Sequence, residues 1–380
     1  MSYEVQGLRE REFPWAARGD AIYLNNASTG PLPVRSVAAQ LAFTAKRAEP
    51  FRLADDDQFA VVRRARELCA ALIHARGEEI ALMVNTTYGI NLAARSLPLG
   101  PGDVVLTYDG EFPANIYPWM ALAGRGATLE RIPLAGQLPD EERLLAALDR
   151  PEVRCVAVSW VQFSSGYRTD LARLGRACRA RGIYLVVDAM QGLGGAVLDV
   201  RETPIDLLAC GGQKWLLSPW GTGFAYVREA LVRQLEPEAV GWLAMAASDD
   251  FTRLTDYDFR YRDDARRFEV FTLPFQDFAG MNASLELLHE LGPAAVAAHV
   301  EALATRLVEG VEARKDLRLV TPSDPAHRAG IIAVAPRDPR AASARLTASR
   351  VIHALREGAS RLSPHGYNTL EEVEQVLSVL

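Results

Sequence analysis

Lys214 stands where the apolar run "IDLLAC" ends in two glycines and a tryptophan-rich loop, "GGQKWLLSPWGTGF", begins. The chain has only three lysines, Lys46, Lys214 and Lys315, against a total of 42 Lys and Arg, so its solubilising cations are arginines. A lysine in this position is better read as a nucleophile, because its amine can condense with a carbonyl to a Schiff base. Two further groups follow other apolar runs. Asp188 and Gln191 come after "IYLVV", and Thr86 and Thr87 open a helical pattern after "EIALMV". A carboxylate can pair with a pyridinium nitrogen, and a helix N-terminus offers unpaired N–H groups and a positive dipole end to a phosphate. Amine, acid and phosphate seat together describe the demands of pyridoxal phosphate.

These groups need a scaffold that brings the ends of several strands to one rim. Short runs rich in Val, Leu and Ile, from "EIALMV" to "GFAYVR", alternate with helical-period stretches. The pattern predicts an α/β fold with a mostly parallel sheet covered on both faces, whose ligands collect at the carboxyl ends of the strands. Beyond residue 230 the texture changes. A polar, aromatic segment, "LTDYDFRYRDDARRFEVFTLPF", precedes two long helical patterns, "FAGMNASLELLHELG" and "AAVAAHVEALATRLVEGVEARKD". The end reads as a compact α+β unit: a strand "GIIAVAPRD", a helix near "ASRVIHALREG" and a closing helix "TLEEVEQVLSVL". The expected organisation is a large domain over residues 16–277, a small C-terminal domain over residues 278–380, and an N-terminal arm, residues 1–15, packing with the small domain.

Composition narrows the classes. Apolar residues make up 49% of the chain and charged ones 24%, an ordinary soluble balance. A net charge of -6 counts against a nucleic-acid surface. No run approaches the ~18 apolar residues of a membrane span, and "MSYEVQGLREREFPW" has no apolar core of a signal peptide. Cys69, Cys155, Cys178 and Cys210 are widely spaced with no C-x-x-C pair, so neither disulfides nor zinc are expected and a cytoplasmic location is. The six histidines form no ligand pair at helical spacing, and no metal is expected. A nicotinamide oxidoreductase lacks its glycine fingerprint here, and the phosphate-loop, zinc-protease and serine-hydrolase motifs are also missing.

The motifs "YLNNASTGPLP", "NTTYGIN", "EFPANIYPW", "VVDAMQGLG", "GGQKWLLSPWGTGF" and "RLSPHGYNTLEEVEQVL" follow one another in register from about residue 21 to the end. In that order they resemble the class V aminotransferase family, which includes cysteine desulfurases and isopenicillin N epimerase-like proteins. The resemblance implies a fold type I pyridoxal-phosphate enzyme with a seven-stranded, mostly parallel sheet, and a homodimer with shared active sites. By this resemblance Lys214 carries the Schiff base and Asp188 holds the pyridine nitrogen protonated. Gln191 lies near the ring's phenolic oxygen, Thr86 and Thr87 bind phosphate, and Phe112 stacks on the ring where desulfurases usually carry histidine. Arg361 forks onto the substrate carboxylate, a geometry suited to guanidinium, with Asn26 and Ser28 nearby. Thr272 reaches the phosphate from the neighbouring subunit. The sequence departs from the family at Gln213, usually histidine, at Gly211, usually serine, and at Phe271, usually glycine. These departures touch phosphate anchoring.

Singly, each residue has a plainer use. Asp188 and the threonines could cap helices, and Phe112 could be core. His365 is expected to order its segment rather than move protons. In combination they point to an enzyme acting on an α-amino acid through a Schiff base with the substrate, with transamination first. Epimerisation and β-elimination are the alternatives, and a catalytically silent protein of the same fold is a further one. A persulfide-forming desulfurase is disfavoured, because no cysteine follows Cys210.

Overall fold

The computed structural model describes residues 3–270 and 272–380; Phe271, noted above, lies outside them. Seven strands form the main sheet: β1 (Ile80–Leu82), β2 (Val104–Tyr108), β3 (Thr128–Ile132), β4 (Val153–Ser159), β5 (Tyr184–Asp188), β6 (Leu207–Gly211) and β7 (Gly223–Val227). Their spatial order is β1-β7-β6-β5-β4-β2-β3. All neighbours pair in parallel except β7, which runs antiparallel to both β1 and β6. Six of the strands are buried on both faces, as their near-continuous apolar runs require, and only the edge strand β3, TLERI, is largely open. Along β5, Leu185 and Val187 join the core on one side and Val186 the core on the other. This is the two-residue alternation of a strand expressed as two packed layers.

A second, antiparallel sheet holds β8 (Leu317–Leu319), β9 (Ile332–Pro336), β10 (Ala354–Arg356) and β11 (Ala359–Leu362), in the order β10-β11-β9-β8. Ile332, Val334 and Leu362 share one face of it. They pack on the helices Pro293–Glu312 and Leu370–Val379 through Leu303, Leu307, Val373 and Val376. The last helix starts on a capping box in which Thr369 and Glu372 satisfy each other's N–H groups. Near the N-terminus, the helix Val5–Glu12 places Arg9 on Glu372 (2.7 Å) and on the Tyr367 carbonyl (3.0 Å). The helix Phe275–Leu291 spans the expected domain boundary.

Two elements differ from the sequence expectation. The helix expected near "ASRVIHALREG" lies earlier, at Pro339–Ala348. Arg350, at φ 57, turns the chain out of it. Val351–Ile352 then pairs in parallel with Ile22–Tyr23, and β10 follows. Branched Val and Ile favour the strand once a partner strand is available. The segment "ANIYPWMALAGRG" is broken into three short turns, Pro113–Asn115, Tyr117–Met120 and Ala121–Arg125. Pro118, which lacks an N–H donor, stands at the start of the second turn and so separates it from the first.

Candidate active site

The carboxyl ends of β5 and β6 set the two principal groups. Asp188 is the last residue of β5, directly beside Ser159 and Ala209. Gly211 ends β6, and three residues later Lys214 enters a loop pinned from several sides. Gly30 donates its N–H to the Gln213 carbonyl (2.9 Å). A side chain at Gly30 would overlap the Lys214 carbonyl oxygen, so only glycine allows the two backbones to meet. Leu217 closes the loop at φ 53, a costly conformation for a branched residue. Ser284 secures it by donating to the Leu217 carbonyl (2.7 Å).

Burial shifts both groups. The Lys214 amine is lowered to about 8, chiefly by loss of water and further by the Arg361 guanidinium, with Asp188 opposing. Asp188 is 5% exposed, and burial raises it to about 6 against the pull of the Met190 N–H (2.9 Å) and of Lys214. The Lys214 amine also lies 5.6 Å from the centroid of the Phe112 ring. Phe112 is half-exposed and meets Phe163 edge-on, at 5.3 Å between centroids.

The Gln191 amide is oriented by the protein. Its Oε1 accepts from the Trp215 indole (2.9 Å) and one N–H donates to the Ala27 carbonyl (3.0 Å), which leaves its second N–H. The helix Thr86–Ser96 starts after Asn85, whose side chain accepts from the Tyr88 N–H (2.8 Å). Thr86 is buried and its hydroxyl accepts from the Gly211 N–H (2.9 Å). Thr87 is exposed and lines a 590 Å³ cavity with Val84, Tyr88 and Phe268. Gln213 folds back over Gly211, and its Oε1 is buried without a hydrogen-bond partner among the described residues. Thr272 is exposed beside Phe43, Arg47 and Val84.

Arg361, on β11, is 2% exposed. It donates to the Phe163 carbonyl (2.8 Å) and to the Ser28 hydroxyl (2.8 Å), and its Nε has no partner among the described residues. Burial, with Arg356 nearby, lowers it to about 10, so it remains charged at neutral pH. Asn26 lies in the same loop as Ser28. Its side chain is fully buried, with Nδ2 on the Ser363 carbonyl (2.7 Å) and Oδ1 accepting from Tyr367 (2.9 Å). These bonds tie Asn26 to the end of β11, which carries Arg361, and leave its second N–H. His365 accepts the Gly366 N–H at Nδ1 (2.7 Å) and donates from Nε2 to the Trp215 carbonyl (2.9 Å). Burial lowers it to about 4, and the neutral ring ties this segment to the lysine loop.

Glu111 escaped the sequence reading. Its oxygens accept from the Ser159 N–H (2.8 Å), the Gln162 amide (2.8 Å) and the Ser159 hydroxyl, and burial raises it to about 7. It anchors the loop carrying Phe112 to the end of β4. Its place immediately before Phe112 in "EFPAN" was the available signal.

A pyridoxal ring requires an amine, an acid for its nitrogen and an apolar wall, and its phosphate requires N–H donors. Lys214, Asp188 and Phe112 supply the first three, Phe112 from the open side, and the start of the helix Thr86–Ser96 supplies the last. The buried acceptor of Gln213 is the one awkward atom for a phosphate, and rotating the amide by half a turn replaces it with a donor. The residues fit the group.

Comparison with known proteins agrees. The family model described as "Aminotransferase class-V" matches residues 22–376. The chain is 33% identical over 317 residues to "Uncharacterized aminotransferase YcbU" of Bacillus subtilis, covering 82% of this chain and 81% of that protein. It is 31% identical to "Isopenicillin N epimerase" of Streptomyces clavuligerus, over 82% and 80% of the two chains. Among solved structures, the cystine C-S lyase C-DES in complex with cysteine persulfide superposes with a TM-score of 0.88 at 24% identity, over 97% of this chain and 98% of that one. That likeness bears on the fold, which is fold type I. The chain belongs to the aminotransferase class V family, whose cofactor is pyridoxal phosphate.

Proposed function

We propose that this protein acts on an α-amino acid by transamination, with Lys214 as the residue that carries the cofactor and moves the Cα proton. The observation that carries this is the buried Lys214 amine, lowered to about 8 and set among Asp188, Phe112 and Arg361. Bound pyridoxal phosphate supplies an electron sink for the bond broken at the substrate Cα. The chain's own groups do the rest. Lys214 is close enough to neutral at physiological pH to accept a proton at Nζ, the condition for a general base. Asp188 holds the ring nitrogen, and Gln191, Thr86, Thr87, Phe112 and Gln213 hold the remainder, with Thr272 contributed across a homodimer. Arg361, aimed by Ser28 and the Phe163 carbonyl, grips the substrate carboxylate. His365 and Trp215 close the back of the lysine loop against water. A cytoplasmic homodimer is part of the same reading.

The thiols count against a persulfide-forming desulfurase. All four cysteines are at most 1% exposed, and burial raises each thiol. None is a mobile nucleophile that could take up sulfur from a substrate. The test is a panel of amino acids with the purified, cofactor-loaded enzyme in deuterated water. Transamination predicts pyridoxamine phosphate and an oxo acid. Deuterium at Cα without an oxo acid, or pyruvate with ammonia, would replace it by epimerisation or β-elimination.

A further inference from the structure

Strand register groups three arginines on one face of the small sheet. Ala354 lies opposite Arg361, Arg356 opposite Ala359, Ala333 opposite Arg361 and Ala335 opposite Arg318. Opposed residues, and those two apart on one strand, share a face. Arg318, Arg356 and Arg361 therefore project from the same side, separated by four alanines. The opposite face is the apolar one that packs on the helices. Among the described residues, none of the three arginines has a carboxylate within 4.0 Å, in a chain where most arginines are paired.

This face borders a 410 Å³ cavity lined by Glu111, Pro113, Gln137, Phe163, Ser164 and Arg356, among others. Phe163 is the hinge between cavity and site: its ring meets Phe112 and its carbonyl holds Arg361. Arg318 donates to Gln137 Oε1 (2.8 Å), so Gln137 is left with two N–H donors. Two carboxylates also line the cavity. Glu111 is already occupied by Ser159 and Gln162. Glu357 belongs to the two-residue hairpin turn with Gly358, where φ is 46 and 76. That primed turn fixes the register that puts Arg356 on the Arg361 face. Of this face, Ala359 and Arg356 line the cavity, and Arg356 turns one Nη to the Leu355 carbonyl (2.9 Å), which leaves its other N–H donors for a ligand.

We propose that this cavity receives a substrate side chain ending in a second carboxylate, which Arg356 holds while Arg361 holds the α-carboxylate. The proposal rests on the amino-acid reading above and narrows it to acidic substrates. Arg356 is exposed, so Arg356→Gln leaves the fold in place, which a melting curve checks.

The test uses cofactor-loaded protein and two probes that cannot turn over because they lack a Cα proton, L-2-methylglutamate and its amide, L-2-methylglutamine. Calorimetric titration gives their affinities. The wild type binds the acid roughly tenfold or more tightly than the amide, the scale of a charge-assisted pair. In R356Q that preference falls to about threefold or less. Equal affinities in the wild type, or a preference unchanged in R356Q, would overturn the subsite and leave the amino-acid reading standing. Failure of the protein to retain pyridoxal phosphate on gel filtration would overturn both.

Discussion

The Lys214 amine and the Phe112 ring face each other across 5.6 Å, with Phe163 set edge-on behind the ring. The ring gives a desolvated cation partial compensation and presents a flat apolar wall beside it. Phe112→Ala removes that wall. Stacked aromatic pairs contribute about 0.5–1.5 kcal/mol, so cofactor affinity should weaken roughly 3–10-fold in equilibrium dialysis. Unchanged affinity would remove Phe112 from the cofactor site.

Stability of the cofactor-free protein should carry the mark of both buried charges. Lys214 is lowered from 10.5 to about 8, so between these values the unfolded chain binds the proton that the folded chain has lost. Stability therefore rises with pH across that window. Asp188 is raised from 3.8 to about 6, so between those values the folded chain keeps a proton that the unfolded chain releases. Its contribution falls as pH rises through that window. Glu111, His365 and the buried thiols set a background to both. Against it, urea midpoints should rise less steeply with pH between about 8 and 10.5 in Lys214→Met than in the wild type, and fall less between 3.8 and about 6 in Asp188→Asn.

Gly211 and Gln213, two of the departures from the family pattern, form one local exchange. A Cβ at position 211 would stand 2.7 Å from Gln213 Oε1, so the small residue makes room for the folded-back amide. Gly211→Ser should destabilise the wild type by no more than about 1 kcal/mol, because the end of the Gln213 side chain can move aside, and the Gln213→Ala background by less. A double-mutant cycle in urea should return a nonzero coupling of up to about 1 kcal/mol. Strict additivity would mean that the two positions are independent.

Arg361 makes two hydrogen bonds that fix its plane, to Ser28 and to the Phe163 carbonyl. Lysine keeps the charge and loses the fork. Arg361→Lys should raise KM for the amino acid by about tenfold or more while kcat falls less, since the grip on the carboxylate is made before and during reaction alike. An unchanged KM would place the carboxylate elsewhere.

The main sheet was legible because strands buried on both faces are written as plain apolar runs, as in β2 and β4 to β7, while the exposed edge strand β3, TLERI, carries two charges. The clustering of Lys214, Asp188 and Thr86 followed from strand ends sharing a rim. The small sheet was harder. Its strands β8 and β10 have three residues each, too short for alternation to stand out, so nothing in the sequence sets Arg318 and Arg356 apart from the other arginines. The helix misplaced near Arg350 shows the same difficulty, since a left-handed arginine has no sequence mark. Asn26 sat in the right motif, but only the partners of its amide reveal that it braces the chain.

Reduction of the cofactor-loaded protein with borohydride, followed by digestion and mass spectrometry, would locate the covalent attachment. Three lysines are available, and Lys46 and Lys315 are exposed. The pyridoxyl group should appear on the peptide containing Lys214 and on no other. Attachment at Lys46 or Lys315, or at none of the three, would contradict the assignment of Lys214.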